Sequence, residues 1–172
     1  MKSADILTDG FERVRDAVHP AVNGLSVDEL VFRPDPESNS IAWLVWHLTR
    51  IQDDHVAELA GSEQVWLAGG WAERFALALP HTDTGYGHGP ADVESVRADA
   101  TLLLGYFEDV HDKTLAYVRS LTEGELDRIV DRRWDPHVTV GVRLVSVIAD
   151  DLQHVGQAAY VRGILQRRDQ PD

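Results

Sequence analysis

Asp150 and His154 stand four residues apart in the stretch 145–162. Val145, Ile148, Ala149, Leu152, Val155 and Ala159 recur there at helical spacing, which predicts a helix with one apolar face. Residues four apart on a helix are stacked on one side, so this carboxylate and imidazole can grip one cation together. His47 supplies a third donor from an earlier segment, beside Leu44, Leu48 and Ile51 on another apolar face. Two imidazoles and a carboxylate form an open donor set for a divalent ion. Each residue alone has a plainer reading. An Asp/His pair at this spacing also serves as a solvated ion pair or a buried hydrogen bond, and a lone histidine on an apolar face as a satisfied core residue. On the residues alone the metal reading, with a third ligand brought by an earlier helix, stands beside these plainer ones.

The chain has 172 residues and no cysteine, which removes disulfides, thiolate nucleophiles and thiolate ligands together. Any metal must be held by histidine and carboxylate, and any thiol chemistry must borrow its thiol. The length suits one domain, residues 1–172, with one continuous core and a polar tail at about 167–172. Hydrophobic content of 44% and charged content of 26% are those of an ordinary globular chain. A net charge of −13 argues against nucleic acid and against an anionic membrane surface as partners. No apolar run is long enough to span a bilayer, and no signal peptide is expected at Met1 to Asp5. A cytoplasmic protein is the expectation.

Four long amphipathic segments must position the candidate ligands. The first carries Ile6, Leu7, Phe11, Val14, Ala17 and Val18 behind Ser3 as its cap, and reaches about residue 23 unless Pro20 bends or ends it early. The second is capped by Ser40, carries His47 and stops at Gly61. His55, two turns on and rotated away, reads as a rim residue. The third runs from Val93 to about Arg119 and the fourth from about Val140 to Gln166. Capping boxes at residues 26–29 and 122–125 open short helical turns. Residues 80–90, with His81, Asp83 and His88 among glycines and prolines, read as a flexible, solvated loop rather than a second metal site. Residues 127–143 carry Arg128, Arg132, Arg133 and Arg143 beside Trp134 and His137. Local ion pairing with Asp127, Asp131 and Asp135 explains them, with an anion contact as the functional alternative. With no convincing strand, the pattern is an all-α, four-helix bundle with short accessory helices. Its long connection between helices two and three permits a crossover.

The run Trp43-Leu44-Val45-Trp46-His47-Leu48, followed far downstream by Asp150-Asp151-Leu152-Gln153-His154-Val155-Gly156-Gln157, resembles the DinB-like superfamily. That resemblance implies a four-helix metalloprotein whose usual ligands are three histidines, the last two at i, i+4. Here Asp150 takes the first position of the final pair, as a carboxylate does in the mycothiol-dependent maleylpyruvate isomerase branch. The motifs look most like the mycothiol S-transferase group, and the scarcity of lysine (Lys2 and Lys113 only) fits the bacteria that make mycothiol. The implied function is a metal-dependent S-transferase joining a low-molecular-weight thiol, mycothiol, to an electrophile. Zinc is the leading metal, with nickel, manganese or iron also suited to the donors. Arg50, Arg143 and Arg162 are the candidate contacts to the thiol's polar groups, and Tyr160 is left unassigned. The alternatives are an isomerase or hydrolase on the same site, or a non-catalytic metal-binding bundle. A homodimer fits an enzyme and an interaction module alike.

Overall fold

A computed structural model describes residues 1–168. Four long helices carry the fold: α1 (Ser3–Val22), α3 (Ile41–Ala60), α7 (Ala100–Ser120) and α9 (Val140–Arg168). Short helices α2 (Val27–Leu30), α4 (Val65–Ala68), α5 (Trp71–Phe75), α6 (Pro90–Ser95) and α8 (Glu123–Leu126) lie between them. Helix α9 packs against α1 and α3, and α7 packs against the same two, while α1 and α3 barely touch. Helices α1 and α3 therefore sit across a diagonal, and the bundle departs from strict up-and-down order, as the long α3–α7 connection allows.

Capping chemistry sets the limits of α3. The Ser40 hydroxyl accepts from Trp43 N at 3.1 Å, and Gly61 closes the helix in the left-handed conformation with φ 64. At α1, Lys2 rather than Ser3 is the cap residue, and Asp5 accepts its backbone N–H at 2.8 Å. Pro20 does not end α1 early. It falls in the final turn, where little of the helix ladder remains to be lost.

Three expectations need correction. The third long helix does not begin at Val93. Helix α6 ends at Ser95, and Asp99 starts α7 afresh by accepting from Leu102 N at 2.8 Å. The apolar pattern runs across the break because Val96 and Ala98 of the connection are also buried. Residues 127–143 are not all loop, since β1 (Ile129–Asp131) and β2 (Val138–Thr139) pair antiparallel, Ile129 opposite Thr139. Arg133 and Arg143 flank Asp131 there, at 2.7 and 3.6 Å, and Arg133 above all lowers its pKa to about 2.

The buried face of α9 is the third. It comprises Leu144, Val147, Asp151, Val155, Ala158, Val161 and Leu165, whereas Val145 and Leu152 are 58% and 41% exposed. Two apolar stripes one residue apart share Val155, and the 100° between them is invisible to a periodicity count. Arg167 and Arg168 continue α9 as helix, and the rest of the expected tail, residues 169–172, lies outside the described residues. No helix among the described residues is long and apolar enough to cross a membrane.

Candidate metal centre

The true phase of α9 puts Asp150 and His154 at the border between core and solvent, facing α3. His47 comes to meet them from α3, 6% exposed. One donor atom from each of His47, Asp150 and His154 lies within 4.8 Å of the others. The two imidazoles meet edge to face with centroids 4.6 Å apart. Trp43, one turn before His47, stacks on its ring at 4.6 Å and 15°, and also borders His154 at 6.3 Å.

Hydrogen bonds orient both rings. His47 Nδ1 lies 2.5 Å from the Thr84 carbonyl, and His154 Nδ1 lies 2.8 Å from the carbonyl of Asp150. A carbonyl oxygen only accepts, so each Nδ1 carries the proton and each Nε2 keeps a lone pair for a ligand role. Asp150 Oδ2 is buried without a hydrogen-bond partner, 3.4 Å from His154 Nδ1. A buried carboxylate oxygen left unpaired costs free energy that a cation recovers. The donor set and this orphaned oxygen therefore fit a divalent metal bound by nitrogen and oxygen, and they do not distinguish zinc from its neighbours.

Local electrostatics favour neutral His47 and charged Asp150. Burial pushes the His47 pKa down, more than the Thr84 carbonyl supports it. Burial opposes the shifts at the other two groups, but mutual contact prevails. Asp150 holds the His154 pKa up, and His154 holds the Asp150 pKa down.

The other candidates fall elsewhere. Arg50 is completely buried and points away from solvent, donating to the Asp83 carbonyl at 3.0 Å and to Gln64 Oε1 at 2.8 Å. It cannot touch a thiol arriving from outside, because its donors are already committed within the chain. Arg162 donates to the Asn23 carbonyl at 2.8 Å on the exposed surface. Arg143 Nη1 donates to His55 Nδ1 at 3.0 Å, so His55 stands beside the centre without joining the ligand set.

The loop 80–90 is partly solvated, as its composition suggests, with His81, Thr82, Tyr86 and Gly87 exposed, while Asp83, Thr84, Gly85 and His88 are covered at least in part. It delivers the Thr84 carbonyl to His47, and its His88 packs with a side chain 7% exposed, accepting from Trp43 Nε1 at 3.2 Å. The glycines were the available clue. Gly85 has φ 95, and a Cβ there would come within 2.5 Å of His47 Nδ1. An open groove of about 810 Å³ begins one helical turn from the ligands, with Leu44 of α3 and Gln153, Gln157 and Tyr160 of α9 on its walls.

The model of the DinB superfamily matches residues 10–158, a span containing all three candidate ligands. A solved structure, that of a conserved protein from Enterococcus faecalis, is similar across 94% of this chain and 96% of its own. Its TM-score is 0.88 and its sequence identity 33%. No curated protein matches the chain.

Proposed function

From the premise that the chain belongs to the DinB superfamily, we propose that it is a metal-dependent S-transferase joining a low-molecular-weight thiol, mycothiol, to an electrophile, with zinc as the metal. The single observation carrying this reading is the meeting of His47, Asp150 and His154 around an unpaired carboxylate oxygen beside an open groove. These three residues would hold the ion. When bound, the ion supplies Lewis acidity that brings the pKa of a coordinated thiol toward neutrality.

The chain's own residues do the rest. With no cysteine of its own, the protein must take its sulfur nucleophile from outside, and the groove, which the three ligands do not themselves line, would hold the body of that thiol. Gln153, Gln157 and Tyr160 offer amide and hydroxyl partners to a hydroxyl-rich thiol without adding charge. Trp43 walls the centre and shields His47 from water. Sulfur forms its bond to the electrophilic carbon and the thiol proton leaves to solvent. In a substitution the leaving group departs with the pair of the bond that breaks. In an addition the π pair of the attacked double bond shifts to the neighbouring atom, which takes a proton from solvent. Asp150 in place of a histidine favours one second reading, an isomerase using the same thiol.

Conjugation of monochlorobimane to mycothiol tests the proposal. Fluorescence is expected to rise only with protein, thiol and metal together, and to stop when a chelator strips the metal. Metal-loaded protein that leaves both reagents unchanged would refute the transferase while leaving the centre in place.

A further inference from the structure

We propose that Arg50 is a positioning residue for the metal centre, acting through the strap of residues 81–88 that orients His47. The inference rests on the metal-centre reading above for its consequence, though not for its geometry.

Arg50 lies three residues after His47 on α3, with no exposed surface. Its Nε donates to the Asp83 carbonyl at 3.0 Å, and Nη2 reaches the His81 carbonyl at 3.5 Å. Nη1 donates to Gln64 Oε1 at 2.8 Å and to the Tyr106 hydroxyl at 3.3 Å, while Asp53 balances the charge at 3.7 Å. Asp53 is itself fixed. It is 2% exposed and accepts from Val65 N at 2.8 Å, Trp66 N at 2.7 Å and the Tyr106 hydroxyl at 2.8 Å. Burying a guanidinium is costly unless its donors are used, and here two of them are used on main-chain carbonyls of an irregular segment. A loop that only linked two helices would need no such anchor.

His88 ties down the other end of the strap. It accepts from Trp43 Nε1 at 3.2 Å, so its Nε2 carries the proton and faces Asp83 Oδ2 at 3.3 Å. Its ring stacks on Trp46 at 5.9 Å and 19°. Between the two anchors the Thr84 carbonyl meets His47 Nδ1, and Gly85 passes so close that only hydrogen fits. The strap thus selects the His47 tautomer whose free lone pair is on Nε2. Partners that orient a metal-bound histidine in this way are worth about 10–100-fold in metal affinity.

The test uses full-length, metal-free protein and two readouts: the His47 tautomer from imidazole nitrogen NMR, and zinc affinity from competition with a chromophoric chelator. Arg50→Met combined with Asp53→Asn removes the anchor without stranding a buried charge. Gly85→Ala disturbs the strap while leaving the anchor intact, and covers the case in which the double variant does not fold. In either folded variant the Nδ1–H tautomer is expected to give way to a mixture and zinc affinity to fall about 10–100-fold. Arg50→Lys, which can still reach a carbonyl, is expected to recover part of both. Folded variants with the wild-type tautomer and wild-type affinity would overturn the proposal. If wild-type protein binds no zinc but the tautomer still shifts in the variants, the metal-centre reading fails and the positioning of His47 stands.

Discussion

Two helix pairs in this bundle bring histidines and carboxylates together, with opposite outcomes. Between α1 and α7, Glu108 holds Arg15 at 2.9 Å and pairs with His19, while Glu12 lies 3.5 Å from Arg119 and 3.6 Å from His111. Each carboxylate there has an arginine, and Glu108 stays below the usual glutamate pKa, with Arg15 and His19 outweighing burial. Between α3 and α9, Asp150 faces two histidines and pairs with no arginine among the described residues. Its Oδ2 is buried and unpartnered. The same residue types close one site with the protein's own cations and leave the other asking for a foreign one. Composition alone does not tell these two clusters apart, and the supply of built-in cations does.

The largest expected effect separates the two clusters outright. His154→Ala should lower zinc affinity by more than the ~10–100-fold that outer partners are worth, whereas His111→Ala should leave it unchanged. Elemental analysis of chelator-free preparations checks both. Next is pH. Because burial lowers the His47 pKa while Asp150 holds that of His154 up against burial, His154 is the imidazole whose extra proton competes with the metal up to the higher pH. Affinity should climb as pH rises through the elevated His154 pKa and then level off. Below it, affinity should fall about tenfold per pH unit, one proton per metal. A slope of two would mean that both rings compete.

Asp151 gives a smaller effect, in stability alone. Its carboxyl is fully buried with both oxygens unpartnered, and burial followed by the nearby Asp150 charge pushes its pKa well up. The folded state keeps the proton that the unfolded chain releases above its ordinary pKa, so the penalty is absent at low pH and grows as pH rises. Asp151→Asn should match wild type near pH 3 and exceed it by about 0.5–2 kcal/mol at neutral pH in denaturant melts. Smallest of all, Glu108→Gln frees Arg15 and His19 on the α1–α7 side, both partly exposed. It should cost about 0.2–1 kcal/mol and leave metal binding intact.

The candidate ligands are legible because two of them obey the helix period and the third shares a helical face with Leu44 and Leu48. What hid the rest was distance along the chain. Thr84 lies 37 residues from His47 and Asp83 lies 33 from Arg50, so no local pattern joins them. Arg50 reads from the sequence as a contact to the thiol's polar groups, because arginine is mostly exposed, yet it is buried and its carbonyl partners come from a loop that composition alone marks as mobile. The sequence pattern of α9 points 100° away from its buried face, since Val145 and Leu152 are as apolar as the residues that are buried. The break before α7 is hidden for a related reason: buried Val96 and Ala98 continue an apolar rhythm through residues that are not helical.

X-ray absorption at the zinc edge of protein loaded with one equivalent of zinc asks most directly whether these three side chains share an ion. The expected spectrum has two imidazole nitrogens at about 2.0–2.1 Å with oxygen donors completing the shell, and loses one imidazole in His154→Ala. A shell of oxygens alone, or one that His154→Ala leaves unchanged, would contradict a centre built from His47, Asp150 and His154.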